Sequence, residues 1–194
     1  MSSARIIAIF DFDNTLIKGD SLWPFLVAVA GWPRCVMILM QAMILLLLRR
    51  NNFDKRTFIK EYILLHLLGG RRLSDLSVAI EKIKTWKKEL KTADELRKHH
   101  AAGHHIVIAT GSLNLYMPAM LEGIPYDVLI CTDMEISDNI VTGKMTSGNC
   151  VRMRKAEFIK KYLNEHGPFD ESWGYGNTPH DVPMLNLVKH RVIV

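Results

Sequence analysis

Residues 5–16 read RIIAIFDFDNTL, and the fold is decided by how that run begins and how it ends. Ile6, Ile7, Ala8, Ile9 and Phe10 form a short apolar run rich in β-branched residues, the pattern of a buried strand. Residues i and i+2 of an extended chain share a side, so Asp11 and Asp13 are expected to point the same way. Two like charges that close raise each other's pKa unless a cation or a shared proton relieves the repulsion. The pair asks for a metal, a proton, or both.

Downstream, the chain reads in two rhythms. Residues 19 to about 91 show no alternating strand pattern and read as helices. FDKRTFIKEYILLHLLGG (53–70) places Phe58, Tyr62, Leu65 and Leu68 on one helical face before a Gly-Gly stop, and another helix follows from Leu73. The lysine-rich stretch up to Gly103 reads as a solvated helical face. From His104 strands and helices alternate. HIVIATGS and YDVLICT read as strands, MEISDNIVTG as a hairpin, RKAEFIKKYLNEHG as a helix, then SWGY, DVPMLNLV and HRVIV as strand, helix and strand. This alternation gives an α/β class: a doubly wound, Rossmann-like parallel sheet with an inserted helical cap. The expected boundaries are 1–18 and 92–194 for the core and 19–91 for the cap.

Composition bounds the chemistry. The 194 residues are 48% hydrophobic and 23% charged, which excludes a disordered or fibrous chain. A net charge of +5 favours anionic partners, among which phosphorylated small molecules, acidic lipid headgroups and nucleic acid stay open on charge alone. Cys35, Cys131 and Cys150 are sparse, odd in number and without metal-type spacing, which points to a reducing compartment. Met1 to Ala4 lack an export-type leader, so a cytoplasmic location is expected.

In open α/β sheets ligands sit beyond the carboxyl ends of the strands. There the sequence places Asp11-Phe12-Asp13-Asn14-Thr15, Thr110-Gly111-Ser112 and Gly176-Asn177-Thr178-Pro179-His180-Asp181, with Lys155 opening a helix nearby. Carboxylates for a hard cation, a hydroxyl and amides for phosphate oxygens, and a lysine for negative charge are the parts of a phosphoryl-transfer site.

These segments resemble the haloacid dehalogenase superfamily, in the branch that includes phosphoserine phosphatases. FDFDNTL, IVIATGS, the Lys155 of GNCVRMRKAEF and YGNTPHDVPML match its four motifs in order. The resemblance implies a phosphatase with Asp11 as nucleophile and Asp13 as acid and base. Thr110 and the Gly111 amide would bind phosphate, and Lys155 would hold phosphate and nucleophile together. Mg2+ would be held by Asp11, the Asp13 carbonyl and the fourth motif, through Asn177 and Asp181. Asp20 and Arg56 stand where phosphoserine phosphatases bind their substrate. The fourth motif commonly opens Gly-Asp and here opens Gly176-Asn177, which removes one charge from the metal site. A phosphorylated small molecule or lipid is the expected substrate, and nucleic acid is not an expected partner. A catalytically weak phosphate-binding regulatory module and a membrane-surface interaction protein are the alternatives.

Two other features need a reading. His99, His100, His104 and His105 are read as a helix end and a strand start that need not converge. Residues 21–50 are strongly apolar, but the uninterrupted part, Cys35 to Leu48, makes a helix of roughly 21 Å against a hydrocarbon core of ~30 Å. With Pro33 and Arg34 splitting the block and Arg34, Arg49 and Arg50 flanking it, two buried or interfacial helices are expected. The composition is similar to the cap of phosphatidylglycerophosphate phosphatases of the same branch, which implies a lipid-linked substrate and peripheral attachment to the inner face of a membrane.

Overall fold

A computed structural model describes residues 4–48 and 54–194. In chain order the elements begin β1 (Ile6–Phe10), α1 (Leu22–Ala30), α2 (Trp32–Leu48), α3 (Lys55–Leu68), β2 (Arg71–Arg72), α4 (Leu73–Trp86), α5 (Thr92–Ala101) and β3 (His105–Leu113). They continue α6 (Met117–Met120), β4 (Val128–Thr132), β5 (Met134–Ser137), β6 (Ile140–Met145), α7 (Arg152–His166), β7 (Glu171–Gly176), α8 (Val182–Leu185) and β8 (His190–Ile193). The chain divides into two compact units: Met1–Asp20 with Lys87–Thr132 and Gly148–Val194, and Ser21–Trp86 with Asp133–Ser147.

The first unit is built on a five-stranded sheet in the order β4-β3-β1-β7-β8. All four pairings are parallel. Its central strand is the apolar run read above, buried on both faces from Ile7 to Phe10, as a parallel strand with helices on either side must be. Ile7 and Ile9 face Val107, Ala109, Ile159 of α7 and Met184, Leu185 and Val188 around α8. Phe10 faces the other way, stacked on Tyr175 at 4.4 Å with His99 of α5 against its edge at 6.0 Å. Cutting Ile9 back to Ala would cost about 2–5 kcal/mol by leaving a cavity in that layer.

The second unit holds α1 to α4 and a three-stranded sheet in the order β2-β6-β5. Asp54 caps α3, accepting from the Arg56 N–H at 3.1 Å and from the Thr57 hydroxyl at 2.6 Å. One side of α2, Cys35, Ile38 and Ala42, is buried.

Several expectations are corrected. The 134–145 hairpin groups with the helical unit, because β6 pairs antiparallel with β2, a two-residue strand too short to show periodicity. The lysine-rich stretch is broken after Trp86. Leu90 N–H donates to the Leu16 carbonyl and Lys18 N–H to the Lys88 carbonyl, so long-range pairing with the loop after β1 overrides helix propensity. The apolar block divides at Gly31, and Pro33 sits in the first turn of α2, where its missing N–H costs nothing. Arg49 and Arg50 lie outside the described residues.

Candidate active site

Four connections at the carboxyl ends of the strands assemble one polar cluster in the first unit. After β1 the chain turns through Asn14, at φ 59°, a left-handed conformation that asparagine tolerates. Asn14 Oδ1 then accepts from Gly19 N–H at 2.9 Å and closes the loop. Asp11 is buried at the strand end, its own N–H bonded to the Tyr175 carbonyl of β7.

Lys155 comes from the first turn of α7, an end whose dipole disfavours a cation. Two carboxylates offset this. Its Nζ donates to Asp11 Oδ1 at 2.6 Å and to Asp181 Oδ1 at 2.7 Å, and all three side chains are buried. Asp11 Oδ2 accepts from the Thr15 hydroxyl at 3.1 Å. Asp13 is half-buried and accepts from the Ser112 hydroxyl at 2.5 Å. The Asn177 amide donates to the Asp13 carbonyl at 3.2 Å, and Asp181 Oδ2 accepts from the Asn177 N–H at 3.0 Å.

Close backbone approach makes this possible at two glycines. A Cβ on Gly111 would stand 2.6 Å from Val151 Cγ1, at the cap of α7, and one on Gly176 would stand 2.7 Å from the Asp181 Cβ. Thr110 is fully buried and its hydroxyl accepts from the Ser112 N–H at 3.1 Å. Thr132 ties the layers together, donating to the Gly111 carbonyl at 2.9 Å and accepting from the Cys150 N–H at 3.1 Å.

Burial is the largest influence on Asp11 and raises its carboxyl above the ordinary value; Lys155 opposes that and Asp181 adds to it. For Lys155 burial alone would lower the ammonium, but Asp11 and Asp181 outweigh it and hold the group above its ordinary range. Counted as ionised, two carboxylates on one ammonium leave the buried set one positive charge short, a charge that a bound proton or a cation supplies.

That deficit and the donor set fit a hard cation. Among the described residues no three His, Cys, Asp or Glu side chains form a ligand group, so an ion here would draw on carbonyl and amide oxygens beside carboxylates. The Asn177 amide already lies against the Asp13 carbonyl. Turned over, that amide would present its oxygen beside the Asp13 carbonyl, adding neutral oxygens to the nearby carboxylates, a donor set that suits a hard cation.

Of the residues singled out in the sequence, Asp11, Asp13, Lys155, Asn177 and Asp181 are joined by hydrogen bonds, with Thr110 and Gly111 on the adjoining strand end. Asp20 ends the loop after β1, while Arg56 belongs to the second unit, in the first turn of α3. Ser112, the partner of Asp13, and Thr15, the partner of Asp11, join the site as residues that the motifs alone do not assign a role. The i+2 spacing of Thr110 and Ser112 on a strand was the available signal for the first. The histidine reading also changes: His99 and His104 do meet, Nδ1 to Nδ1 at 2.7 Å, and His99 Nε2 bonds the Tyr175 hydroxyl at 2.9 Å. His105 bonds Tyr162 instead.

A parallel sheet that gathers carboxylates and a buried lysine at its strand ends has its polar centre where open α/β sheets bind their ligands. The chain belongs to the haloacid dehalogenase-like hydrolase family, whose model matches residues 8–186. It is 28% identical to Protein CicA of Caulobacter vibrioides over 199 aligned positions, covering 98% of this chain and 86% of that protein. It is 23% identical to the probable phosphatase Rv3661 of Mycobacterium tuberculosis, covering 98% of this chain and 69% of that one. In fold it is similar to a substrate-bound phosphoserine phosphatase, with a TM-score of 0.67 at 14% identity over 100% of this chain and 87% of that one.

Proposed function

We propose that this hydrolase is a magnesium-dependent phosphomonoesterase that works through an aspartyl phosphate on Asp11. One observation carries the reading: a buried ammonium, Lys155, clamps Asp11 while the second carboxylate of the motif, Asp13, is held apart by Ser112. The two aspartates thus have separate environments and can do different work.

A phosphomonoester dianion would be received by the Thr110 hydroxyl, the Gly111 amide and the Lys155 charge, donors fixed in place before the substrate arrives. An Asp11 carboxylate oxygen attacks phosphorus as the bond from phosphorus to the ester oxygen breaks. The proton of Asp13 passes to the departing alkoxide. Asp13, now a carboxylate, takes a proton from water as that water attacks the phosphoryl group. Phosphate leaves and Asp11 is regenerated. Asp11, the Asp13 carbonyl, Asn177 and Asp181 would hold magnesium, which when bound supplies positive charge toward the phosphoryl oxygens.

The test measures phosphate release from an aryl phosphate with magnesium and with a chelator. Acid-quenched protein is examined by mass spectrometry for a phosphoryl group on Asp11. Magnesium-stimulated release with the adduct is expected, and the Asp11→Asn variant should lose both. If that variant keeps activity within tenfold of wild type, the nucleophile is wrong. The neutral Asn177 favours a second reading, a phosphate-responsive binding module; bound inorganic phosphate without turnover would select it.

A further inference from the structure

The second unit carries an apolar surface that its own core does not use. Cys35, Ile38 and Ala42 fill the buried side of α2, yet the other sides are apolar too. Trp32 is 58% exposed, Met40 56%, Ile44 53%, Leu47 81% and Leu48 74%. Met37, Met40, Ile44 and Leu47 recur at spacings of three and four, so they form one continuous stripe along the helix. The only polar side chains in its 17 residues are Arg34 and Gln41. Such a stripe on a protein surface marks an interaction site.

Charge identifies the occupant. Between residues 21 and 60 Asp54 is the one acidic residue, against six basic ones, Arg34, Arg49, Arg50, Lys55, Arg56 and Lys60. A second copy docked face to face would bring the same basic groups against one another. An anionic bilayer offers the opposite charge together with an apolar layer. Trp32, in edge contact with Trp23 at 5.9 Å, supplies the amphipathic ring pair favoured at a membrane–water boundary. No single helix among the described residues is long and apolar enough to cross a membrane, and α1 meets α2 at a bend of 116°.

We infer that α2 lies in the plane of an anionic lipid bilayer, its stripe in the acyl boundary and the basic residues at the headgroups. A chain held there would meet lipid-linked phosphomonoesters first, a corollary that rests on the hydrolase reading. The binding itself does not.

Flotation with phosphatidylcholine vesicles, with and without phosphatidylglycerol, tests it. Wild type should float with the anionic vesicles, less so at high salt, and the Trp fluorescence should shift to the blue. Met40→Glu/Ile44→Glu changes exposed positions only. It should weaken flotation by about tenfold or more while circular dichroism and aryl phosphate hydrolysis stay unchanged. Wild type that stays unbound, or a double variant that floats equally well, overturns the inference. So does a dimer in analytical ultracentrifugation that the double variant dissociates, since the stripe is then a self-interface.

Discussion

Lys155 is a charged residue only 4% exposed, and Leu47 is an apolar residue 81% exposed; the two units break the usual partition of side chains in opposite directions. In the first unit the exception is compensated from within. The buried ammonium has two carboxylates, each carboxylate has a second donor, and among the described residues no buried side-chain polar atom lacks a partner. On α2 nothing among the described residues covers the exposed stripe. A buried charge is tolerable only when its surroundings are completed locally, so it records a site the protein finishes by itself. An exposed apolar stripe records one that something else must finish.

Substitution should expose this contrast, most strongly at Asp11. Asp11→Asn is expected to lose turnover by an order of 10⁴ or more and keep its circular dichroism spectrum, since an amide cannot take the nucleophile's part. Lys155→Met should lose activity and also about 3–5 kcal/mol of stability in urea unfolding, because it strands buried carboxylates. Asp11, already above its ordinary 3.8 through burial, then rises further. The folded variant holds that proton more tightly than the unfolded chain, so its deficit against wild type should grow as pH rises from about 4 and narrow toward acid. An equal change at exposed Met40 should move stability by no more than ~0.5 kcal/mol.

Smaller effects sharpen the comparison. Ser112→Ala should lower kcat about tenfold with KM nearly unchanged, the worth of one hydrogen bond to a charged group. A KM effect alone would place Ser112 on the substrate instead. Asn177→Asp replaces the donor to the Asp13 carbonyl with a second acceptor. The magnesium-free variant should melt lower than wild type, and the magnesium concentration for half-maximal rate should fall several-fold. On substrate, a lipid phosphomonoester in anionic vesicles should be hydrolysed several-fold faster than phosphoserine; the reverse order confines the site to soluble esters.

The sheet was legible because each of its strands announces itself locally: Ile6 to Phe10 is apolar throughout, and the residues after each strand are polar in a fixed order. That pattern brings Asp11, Asp13 and Asp181 to one edge of the sheet, whereas Lys155, in the first turn of α7 among other basic residues, is legible only through the resemblance of its segment to the third family motif. What stayed hidden depends on partners distant in sequence. Arg71–Arg72 is a strand only because Ile140 and Val141 lie alongside it. Lys87 to Leu90 leaves the helical pattern only because the loop after β1 pairs with it. Whether α2 was core or surface could not be read at all, since an apolar helix has the same sequence in either setting and only the exposure of its individual residues tells them apart.

The position of β1 also governs the order in which this chain can mature. The strand at the centre of the sheet is the first to be synthesised, and Ile7 waits about 100 residues for its partner His105, while Ile6 waits for Glu171. Contacts so far apart are slow to form, because loop closure must be met before pairing repays it. A nascent chain therefore exposes a bare apolar strand while the helices of residues 21–86 are being made and can already pair among themselves. Ribosome-stalled fragments should show α3 and α4 protected from proteolysis before β1 is, and chains ending ahead of β7 should stay chaperone-bound.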